Sequence, residues 1–384
     1  MSPRNSNNYF YKMDIKYFEN IAELKEYATN NDISNIIVNF CHLTYNDIIN
    51  NIDIFKKIQK LDCSKTQVTK IPKELINLTL LKCWNTSIQE IPKELINLQY
   101  LDCSRTQITE ISKEFVNLHY LYCSGSRITK IPISFVNLQE LYCSRTQITD
   151  ISKELINLQE LCCSYTQITE IPKELVNLQY LYCSMTQIIE IPKELVNLQY
   201  LYCSGSRITK IPISFVNLQY LNCTRTQITE IPKELINLIT LICSWTQFTE
   251  IPKELINLQE LVCAYTQLTE IPNVLINLRI LKCYNTKITE IPKELINILE
   301  LDCSRTSILE IPKELSKLQS LSCYYTMITK IPFTLDNLQY IYSELITLSE
   351  HEANVKKYKN EIKDIIKTGN ILNDDVNNLL CTYI

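Results

Sequence analysis

The cysteines are the residues whose number and spacing first suggest chemistry. The 384-residue sequence contains 17 of them, and fourteen recur every 20 residues from Cys63 to Cys323. Structural zinc needs closer pairs such as C-x-x-C, which complete a tetrahedron around the ion. Only Cys162 and Cys163 are adjacent, and in an extended segment their side chains point to opposite faces. We interpret these fourteen cysteines, here called the cysteine column, as small apolar core residues. The alternative is that they form a metal-binding or redox stack. We expect no metal, and one exposed thiol in the array, Cys162.

Catalytic constellations are absent from the sequence. The three histidines, His42, His119 and His351, do not recur beside a serine or cysteine at an equivalent place. No H-E-x-x-H or H-x-E motif occurs. The three glycines stand far apart, whereas phosphate-binding loops need at least two close together. We therefore expect a protein that is not an enzyme and binds no cofactor.

The charge and hydropathy of the chain exclude two classes of partner. The formal net charge is -4, so the broad positive field that holds a phosphate backbone is missing. The first residues contain no apolar signal segment, and no window approaches the roughly 18 apolar residues that span a bilayer. We expect no nucleic acid and no membrane as partner. A cytoplasmic location is consistent with this many thiols, because a reducing compartment keeps them free.

A strict internal repeat positions these side chains. From Leu61 to Tyr340 the chain repeats every 20 residues, fourteen times, without insertion or deletion. Numbered from the leucine that begins each copy, position 1 is Leu, position 3 is Cys, position 6 is Thr or Ser, and position 11 is Ile. Pro stands at position 12 in twelve copies, and Asn stands at position 17 in all but one. Such regularity predicts one structural unit per copy.

Each copy is predicted to contribute one short strand. Side chains alternate across a strand, so Leu101 and Cys103 face inward while the residues flanking Leu101 face outward. One such strand cannot bury its inner face alone, so the copies stack in parallel about 4.8 Å apart around a shared core. Pro at position 12 ends the strand direction, and the residues after it are predicted to form one helical or 3₁₀ turn.

This pattern resembles the leucine-rich repeat over about three quarters of the chain. The matching frame is Leu98-x-x-Leu101-x-Cys103-x-x-Thr106-x-Ile108-x-x-Ile111. Cys replaces the usual third Leu, and Thr or Ser replaces the Asn that bridges backbone groups between coils; a hydroxyl can still satisfy a neighbouring backbone group, with less reach. The uniform 20-residue length resembles the shortest repeat class. The Ile, Asn, Lys and Tyr bias with the Cys-Ser-x-Thr variant resembles repeat proteins of amoeba-infecting giant viruses, which implies the host cytoplasm.

The resemblance implies an α/β solenoid, a leucine-rich-repeat horseshoe with a parallel concave sheet, short 3₁₀ or helical convex turns and helical caps. We expect three parts along the chain. Residues 1–60 form an N-terminal cap with a first atypical repeat, residues 61–340 form the fourteen repeats, and residues 341–384 form a C-terminal helical cap.

The flanking segments carry their own patterns. Phe18–Thr29 has apolar residues at helical spacing, and Ile36–Phe40 is predicted to be the first strand. Glu344–Lys367 is rich in helix formers, and the apolar end Val376–Ile384 is expected to fold back over the last repeat. Solenoids need such lids because their end cores are otherwise open to water.

The outward strand positions carry the candidate binding surface, which is rich in tyrosine. Tyr and Arg dominate binding hot spots because they bury large areas and keep a polar end. The alternative is that Tyr simply suits an exposed sheet and was copied by duplication, since residues 121–139 and 201–219 are identical. The predicted partner-binding residues are Tyr100, Tyr120, Tyr122, Tyr142, Tyr180, Tyr182, Tyr200, Tyr202, Tyr220, Arg145 and Trp245.

Two functional hypotheses follow from these patterns. The first is a monomeric, non-catalytic scaffold that binds an unidentified protein on the Tyr-rich concave face. The alternative is a structural component that self-associates through its outer face or its solenoid ends.

Overall fold

The computed structural model describes residues 15–34, 37–40 and 42–368. These residues fall into two compact units, with the division between Leu195 and Val196. In each unit the chain winds as stacked coils, and each repeat contributes one strand of three residues to a parallel sheet. The predicted apolar lid Val376–Ile384 lies outside the described residues.

The first unit contains, among its described residues, nine strands and three short helices. Neighbouring strands pair in parallel, and from β3 onward the register offset is one repeat, as in Leu61 opposite Leu81. The elements are β1 (Ile15–Phe18), α1 (Ile21–Asn30), β2 (Ile37–Phe40), α2 (Tyr45–Ile49), α3 (Ile52–Phe55), β3 (Lys60–Asp62), β4 (Leu80–Lys82), β5 (Tyr100–Asp102), β6 (Tyr120–Tyr122), β7 (Glu140–Tyr142), β8 (Glu160–Cys162) and β9 (Tyr180–Tyr182).

The second unit continues the same pattern. Its described part contains eight strands, paired in parallel with the same offset, as in Leu201 opposite Leu221, and one long helix. The elements are β10 (Tyr200–Tyr202), β11 (Tyr220–Asn222), β12 (Thr240–Ile242), β13 (Glu260–Val262), β14 (Ile280–Lys282), β15 (Glu300–Asp302), β16 (Ser320–Ser322), β17 (Tyr340–Tyr342) and α4 (Leu348–Thr368).

Six positions of the repeat build the core. Positions 1, 3, 8, 11, 15 and 18 are buried in all fourteen copies, and positions 1 and 3 are the two that the strand alternation predicted to face inward. The fourteen cysteines of position 3 are at most 2% exposed. Because the register is constant, each core side chain packs against the side chain at the same position of the neighbouring repeat. Each buried Leu or Ile removes apolar surface from water and contributes about 1.5–3 kcal/mol before the entropy cost of ordering it.

The segments after position 12 form two tight turns. In the copy that begins at Leu61, the Leu75 N–H donates to the Pro72 carbonyl at 3.3 Å, and the Leu78 N–H donates to the Leu75 carbonyl at 3.1 Å. Each bond spans three residues, as in a single 3₁₀ turn, but neither turn is continued, so the described residues between β3 and β17 contain no helix. The two separate turns are enough to direct the side chains at positions 15 and 18, which are three residues apart, into the core.

The N-terminal segment differs from its prediction. Phe18 is not helical but ends β1, and α1 begins at Ile21 because the Asn20 side chain accepts the Glu23 N–H at 3.2 Å. Strand β1 pairs in parallel with β2, so the sheet begins one strand earlier than the sequence suggested. Ile36, the predicted start of the first strand, lies outside the described residues.

The helix α4 packs against the last coil. The His351 Nε2 atom lies 3.0 Å from the Leu335 carbonyl oxygen, and the Lys359 ammonium lies 2.6 Å from the Asp336 carboxylate. The Phe333 ring stacks on a tyrosine of α4 with ring centroids 5.2 Å apart. The helix therefore covers the turn segment of the repeat that begins at Leu321. No helix in the described part of the chain is long and apolar enough to cross a membrane.

Candidate functional site

The candidate site is the outward side of the sheet, here called the sheet face, formed by the residues at positions 20 and 2 that flank each inward Leu. In most repeat strands the central residue is buried and both flanking residues are half-buried. This alternation follows from the pleat, which sends successive side chains to opposite sides. Neighbouring strands bring equivalent outward side chains side by side at one-repeat intervals, so long side chains contact their neighbours.

The first tyrosine cluster lies in the first unit and consists of Tyr100, Tyr120, Tyr122 and Tyr142. The Tyr122 and Tyr142 rings stack with centroids 4.7 Å apart, and the Tyr100 ring lies 5.2 Å from Tyr122 and 6.1 Å from Tyr120. This packing covers Tyr100, which is only 5% exposed, and burial raises the pKa of its phenol. The four rings together form a continuous aromatic surface across strands β5, β6 and β7.

Two predicted contact tyrosines are buried, which corrects the expectation that all of them are open to solvent. Tyr182 is 7% exposed, close to the value for Tyr100, whereas Tyr120, Tyr122, Tyr142 and Tyr180 are half-buried. A tyrosine ring is longer than the strand spacing, so it lies across its neighbour and shields it. Sequence alternation predicts the face of a side chain but not this mutual shielding.

Two carboxylates lie beside the first tyrosine cluster. The Tyr122 hydroxyl donates to Glu140 Oε2, and the Tyr142 hydroxyl donates to Glu160 Oε1. Glu160 is 9% exposed. Its pKa rises from 4.5 to about 7 because burial disfavours the charged form; the Tyr142 hydrogen bond opposes this rise, and the Glu140 charge adds to it.

The second tyrosine cluster lies in the second unit and consists of Tyr200, Tyr202 and Tyr220. The Tyr202 and Tyr220 rings stack with centroids 4.4 Å apart, and the Tyr200 and Tyr220 rings lie 6.1 Å apart. All three side chains are half-buried. Burial raises the pKa of Tyr220, and the neighbouring Tyr202 raises it further. The structure thus places all nine predicted tyrosines on the sheet face.

Arg145 and Trp245 belong to a different feature, the fifth-position ladder, made of the residues at position 5 of successive repeats. Position 5 has a positive φ in all fourteen copies, although it is Gly in only two, Gly125 and Gly205. The Arg145 guanidinium lies 4.7 Å from the centre of the Tyr165 ring. Trp245 is 48% exposed and stacks on Tyr265 with centroids 3.8 Å apart. Arg145 and Trp245 therefore lie in the segments that come after the strands in the chain, not on the strands themselves.

The thiols are shielded. Burial raises the pKa of Cys103 and Cys243 well above the usual value, and that of Cys203 and Cys263 to about 12. Cys162 faces outward as predicted, but it is half-buried and not exposed, and its sulfur lies 3.1 Å from the Ser144 hydroxyl. Within the described ranges, no group of three or more His, Cys, Asp or Glu side chains could hold a metal ion.

The hydroxyls at position 6 act within one coil, which differs from the bridge between coils that they were expected to replace. In every repeat this hydroxyl donates to the carbonyl of the column cysteine three residues earlier, as from Thr106 to Cys103 at 2.6 Å. The bond closes the bend around the left-handed residue at position 5.

The bridge between coils is made by position 17, a role that sequence reasoning missed. The Asn137 Nδ2 atom donates to the Val116 carbonyl at 3.1 Å, and Asn257 donates to Ile236 at 2.9 Å. In the second unit these amides and the glutamines of position 19 line a groove of about 830 Å³. The signal was available, because Asn stands at position 17 in all but one copy.

Comparison with known proteins agrees with this geometry. The leucine-rich repeat family matches residues 197–218. The functional domain of InlJ from Listeria monocytogenes, described as including a cysteine ladder, is 26% identical, with a TM-score of 0.71 over 76% of this chain and 69% of that one. The fold is that of a leucine-rich-repeat solenoid.

Other leucine-rich-repeat structures are also similar. A leucine-rich-repeat protein of Leptospira interrogans is 25% identical, with a TM-score of 0.68 over 89% of this chain and 97% of that one. YopM from Yersinia enterocolitica is 19% identical, with a TM-score of 0.59 over 82% of this chain and 69% of that one, and supports the fold alone. No curated protein matches the sequence.

Proposed function

We propose that this chain is a non-catalytic scaffold that binds a protein partner through the two tyrosine clusters of its sheet face. The leucine-rich-repeat fold is in general that of a protein-interaction scaffold. The observation that carries the proposal is the stack of Tyr122 on Tyr142, with the buried Tyr100 ring behind it, which holds large aromatic rings in place before any partner arrives. Rings ordered in advance lose little entropy on binding, so more of their buried area contributes to affinity.

A reducing cellular compartment is part of this proposal. No two of the described cysteines are joined by a disulfide, and adjacent coils place thiols at equivalent core positions. Such a column stays unlinked most readily where the surroundings are reducing. The cytoplasm is therefore the setting in which we expect the partner.

Substitution of the stacked tyrosines tests the proposal. Partner capture by the wild-type chain is compared with capture by Tyr122→Ser/Tyr142→Ser and by Tyr202→Ser/Tyr220→Ser, each quantified by mass spectrometry. The matched control is Tyr325→Ser, which removes a tyrosine that is 61% exposed and lies outside both clusters. We expect at least one cluster variant to lose a specific partner tenfold or more while the control retains it. Equal capture by all four proteins would contradict the proposal.

Self-association is the second candidate function, and one surface favours it. Position 16, on the turn segments, presents a row of half-exposed Ile and Val side chains in each unit. In the second unit these are Val196, Val216, Ile236, Ile256, Ile276 and Ile296. An apolar row of this kind is a common feature of assembly surfaces.

Sedimentation velocity distinguishes this candidate from the scaffold. A concentration-dependent increase in mass that Ile236→Lys/Ile256→Lys abolishes would support self-association. A single species at the monomer mass across the concentration range would remove it.

A further inference from the structure

The last strand of the second unit has an open outer edge. Among the described strands, β17 pairs with β16 alone. Its outward residues Tyr340 and Tyr342 are 56% and 48% exposed. Its inward residue Ile341 is half-buried, although the leucines at the same position of the fourteen repeats are at most 1% exposed. The strand therefore offers a place to a neighbour that would cover Ile341 and pair with the backbone of β17.

The helix α4 covers the turn segment of the last repeat and leaves this edge exposed. Its Lys359 pairs with Asp336 at 2.6 Å. In the preceding repeats the same side of the coil is contacted by the turn segment of the next repeat, as where the Asn337 Nδ2 atom donates to the Ser316 carbonyl at 2.7 Å. The helix thus occupies the place that the turn segment of a further coil would take. No strand follows α4 within the described residues.

The first unit shows that a helix replaces the turn segment elsewhere in this chain. Strands β1 and β2 pair in parallel, with Ile15 opposite Ile37, and α1 connects them. Strands β2 and β3 also pair in parallel, with Val38 opposite Leu61, and α2 and α3 connect them. In such a unit the helical connection crosses one side of the sheet, and the next strand lies beside the first. The order of β17 and α4 supplies the first two elements of the same arrangement.

The sequence after α4 contains the strand pattern of the repeat. Outside the fourteen repeats, Leu-x-Cys occurs only at Leu379–Cys381. The segment Val376–Thr382 has the pattern V-x-x-L-x-C-T, and Leu218–Thr224 in the repeat array has L-x-x-L-x-C-T. Val, Leu, Cys and Thr thus match positions 18, 1, 3 and 4 of a repeat. Asp375 and Ile384 replace the Asn of position 17 and the hydroxyl of position 6, so the match is confined to the strand.

The connection from α4 to this segment is long enough to return to the sheet. The helix contains 21 residues and is therefore about 31 Å long. The eleven residues 369–379 span up to about 36 Å when extended. The chain can therefore run back along the whole helix and reach the edge of β17.

We propose that the open edge of β17 binds the segment Val376–Ile384 of the same chain as a further parallel strand. In the register of the repeats, Leu379 lies opposite Ile341 and covers it, and Cys381 faces the core as the column cysteines do. An edge that is occupied in this way is not free to pair with another chain. This inference goes beyond the proposed function and does not depend on the tyrosine clusters.

The same register specifies the backbone bonds of the added strand. In the preceding coil the Cys323 N–H donates to the Tyr342 carbonyl at 2.9 Å. One coil later the Ser343 N–H donates to the Leu380 carbonyl. Protection of the Ser343 amide therefore reports pairing at this edge.

Two substitutions at neighbouring residues test the register in the full chain. Leu379→Asp places a charge on the inward side, whereas Leu380→Asp changes the outward side, where Asp already stands at position 2 of three repeats. Thiol labelling with peptide mass spectrometry gives the rate at which Cys381 is modified, relative to its rate in urea. We expect this relative rate to be at least tenfold lower in wild type and in Leu380→Asp than in Leu379→Asp.

Two outcomes of the labelling experiment overturn the inference. Equal relative rates in all three proteins would mean that Cys381 is not buried at this edge. Faster labelling in Leu380→Asp than in Leu379→Asp would mean that the other side of the segment faces the core.

Hydrogen exchange measures the pairing itself. We expect the Ser343 amide to exchange at least tenfold more slowly in wild type than in Leu379→Asp. The Cys103 amide, which donates to the Tyr122 carbonyl at 2.8 Å in the first unit, should exchange equally in both proteins and verifies that the repeats stay folded. Equal exchange of Ser343 in both proteins would overturn the inference. Protection of Ser343 that rises with protein concentration would also overturn it, because the edge would then pair with a second copy.

Discussion

At the scale of single residues, the left-handed position 5 is the feature most at odds with the side chains it carries. A residue with a side chain loses about 1–2 kcal/mol in this conformation, whereas Gly does not. Yet Arg, Tyr, Trp, Met, Lys and Asn occupy it in twelve of the fourteen copies, with φ between 53° and 60°. The side chains at this position are therefore kept at a cost in stability.

Exchange of one such residue for Gly measures that cost. Met185 has φ 57° and is 51% exposed, so Met185→Gly loses little packing. We expect Met185→Gly to raise the free energy of unfolding by about 0.5–1 kcal/mol, measured by urea denaturation. Gly125→Ala is the reverse exchange at φ 70°. Its new Cβ meets Arg105 Cγ at an ordinary 3.5 Å, so conformation alone should lower stability by about 1 kcal/mol. The same sign for both variants would contradict this explanation.

The pKa of Glu160 makes stability depend on pH. Folding raises this pKa from 4.5 to about 7, so the folded state holds the proton more tightly than the unfolded state. The stabilising contribution is complete below about pH 4.5 and is lost as the pH rises through 7, a change of about 3 kcal/mol. Five side chains lie on the strands or loops next to Glu160. They belong to Glu140, Tyr142, Ser144, Cys162 and Tyr180.

Glu160→Gln isolates this effect. We expect the difference in unfolding free energy between Glu160→Gln and wild type to increase by about 3 kcal/mol between pH 5 and pH 8, in favour of the variant. A difference that is constant with pH would mean that Glu160 is solvated in the folded state.

Single residues also show where sequence reasoning ends. Alternation along Tyr100–Asp102 was enough to place every candidate tyrosine on the sheet face. It could not predict that Tyr100 and Tyr182 are covered, because that depends on the directions of neighbouring rings in three dimensions. The raised pKa of Glu160 was equally out of reach, since it comes chiefly from burial of the carboxyl group among neighbouring side chains.

At the scale of elements, the turn segment determines the length of each coil. Position 12 is Pro in twelve copies, but it is Ser112 and Ser152 in the other two. The turn is unchanged there, because the Leu155 N–H donates to the Ser152 carbonyl at 3.3 Å, as in the proline copies. The backbone at these serines is thus already compatible with proline.

Ser152→Pro tests that compatibility. Proline fixes φ in the unfolded chain, so we expect the free energy of unfolding to rise by about 0.4–1 kcal/mol, reduced by loss of the 3.2 Å bond from the Glu154 N–H to the Ser152 hydroxyl. Ser152→Ala is the control, because it loses the same bond without fixing the backbone. Lower stability for the proline variant than for the alanine variant would show that the two turns differ.

The elements were predicted unevenly. The strands followed from the period, since Leu and Cys at positions 1 and 3 must share one face. The sequence predicted one helical turn after position 12, but the structure has two separate turns there. Apolar residues three apart are compatible with either geometry, so their spacing could not distinguish the two. The helical pattern from Phe18 was wrong at its start, since apolar spacing does not show that Asn20 caps the helix. The short helices α2 and α3 carry no pattern long enough to identify.

At the scale of the whole molecule, the 20-residue repeat predicts which residues form the core. Each unit has a column of buried thiols at position 3, and among the described cysteines only Cys162, at position 2, is not buried. High pKa values keep these thiols protonated, and a protonated thiol is a poor nucleophile. Both the fold and the burial of these thiols thus depend on the same 20-residue register.

Thiol labelling tests that register across the chain. We expect a thiol-reactive reagent on the native protein, followed by peptide mass spectrometry, to modify Cys162 before any column cysteine. The column should react only after denaturant unfolds the chain. Rapid native labelling of Cys103 or Cys243, which lie in different units, would mean that the cysteines face solvent.

We expect a protein partner to cover the stacked tyrosines of the sheet face. Hydroxyl-radical footprinting of the chain with and without its captured partner measures this directly, because tyrosine oxidation reports solvent access at each ring. We predict that the partner lowers oxidation of Tyr122 and Tyr142, or of Tyr202 and Tyr220, several-fold while Tyr325 remains unchanged. Full oxidation of both clusters in a stable complex would contradict the claim.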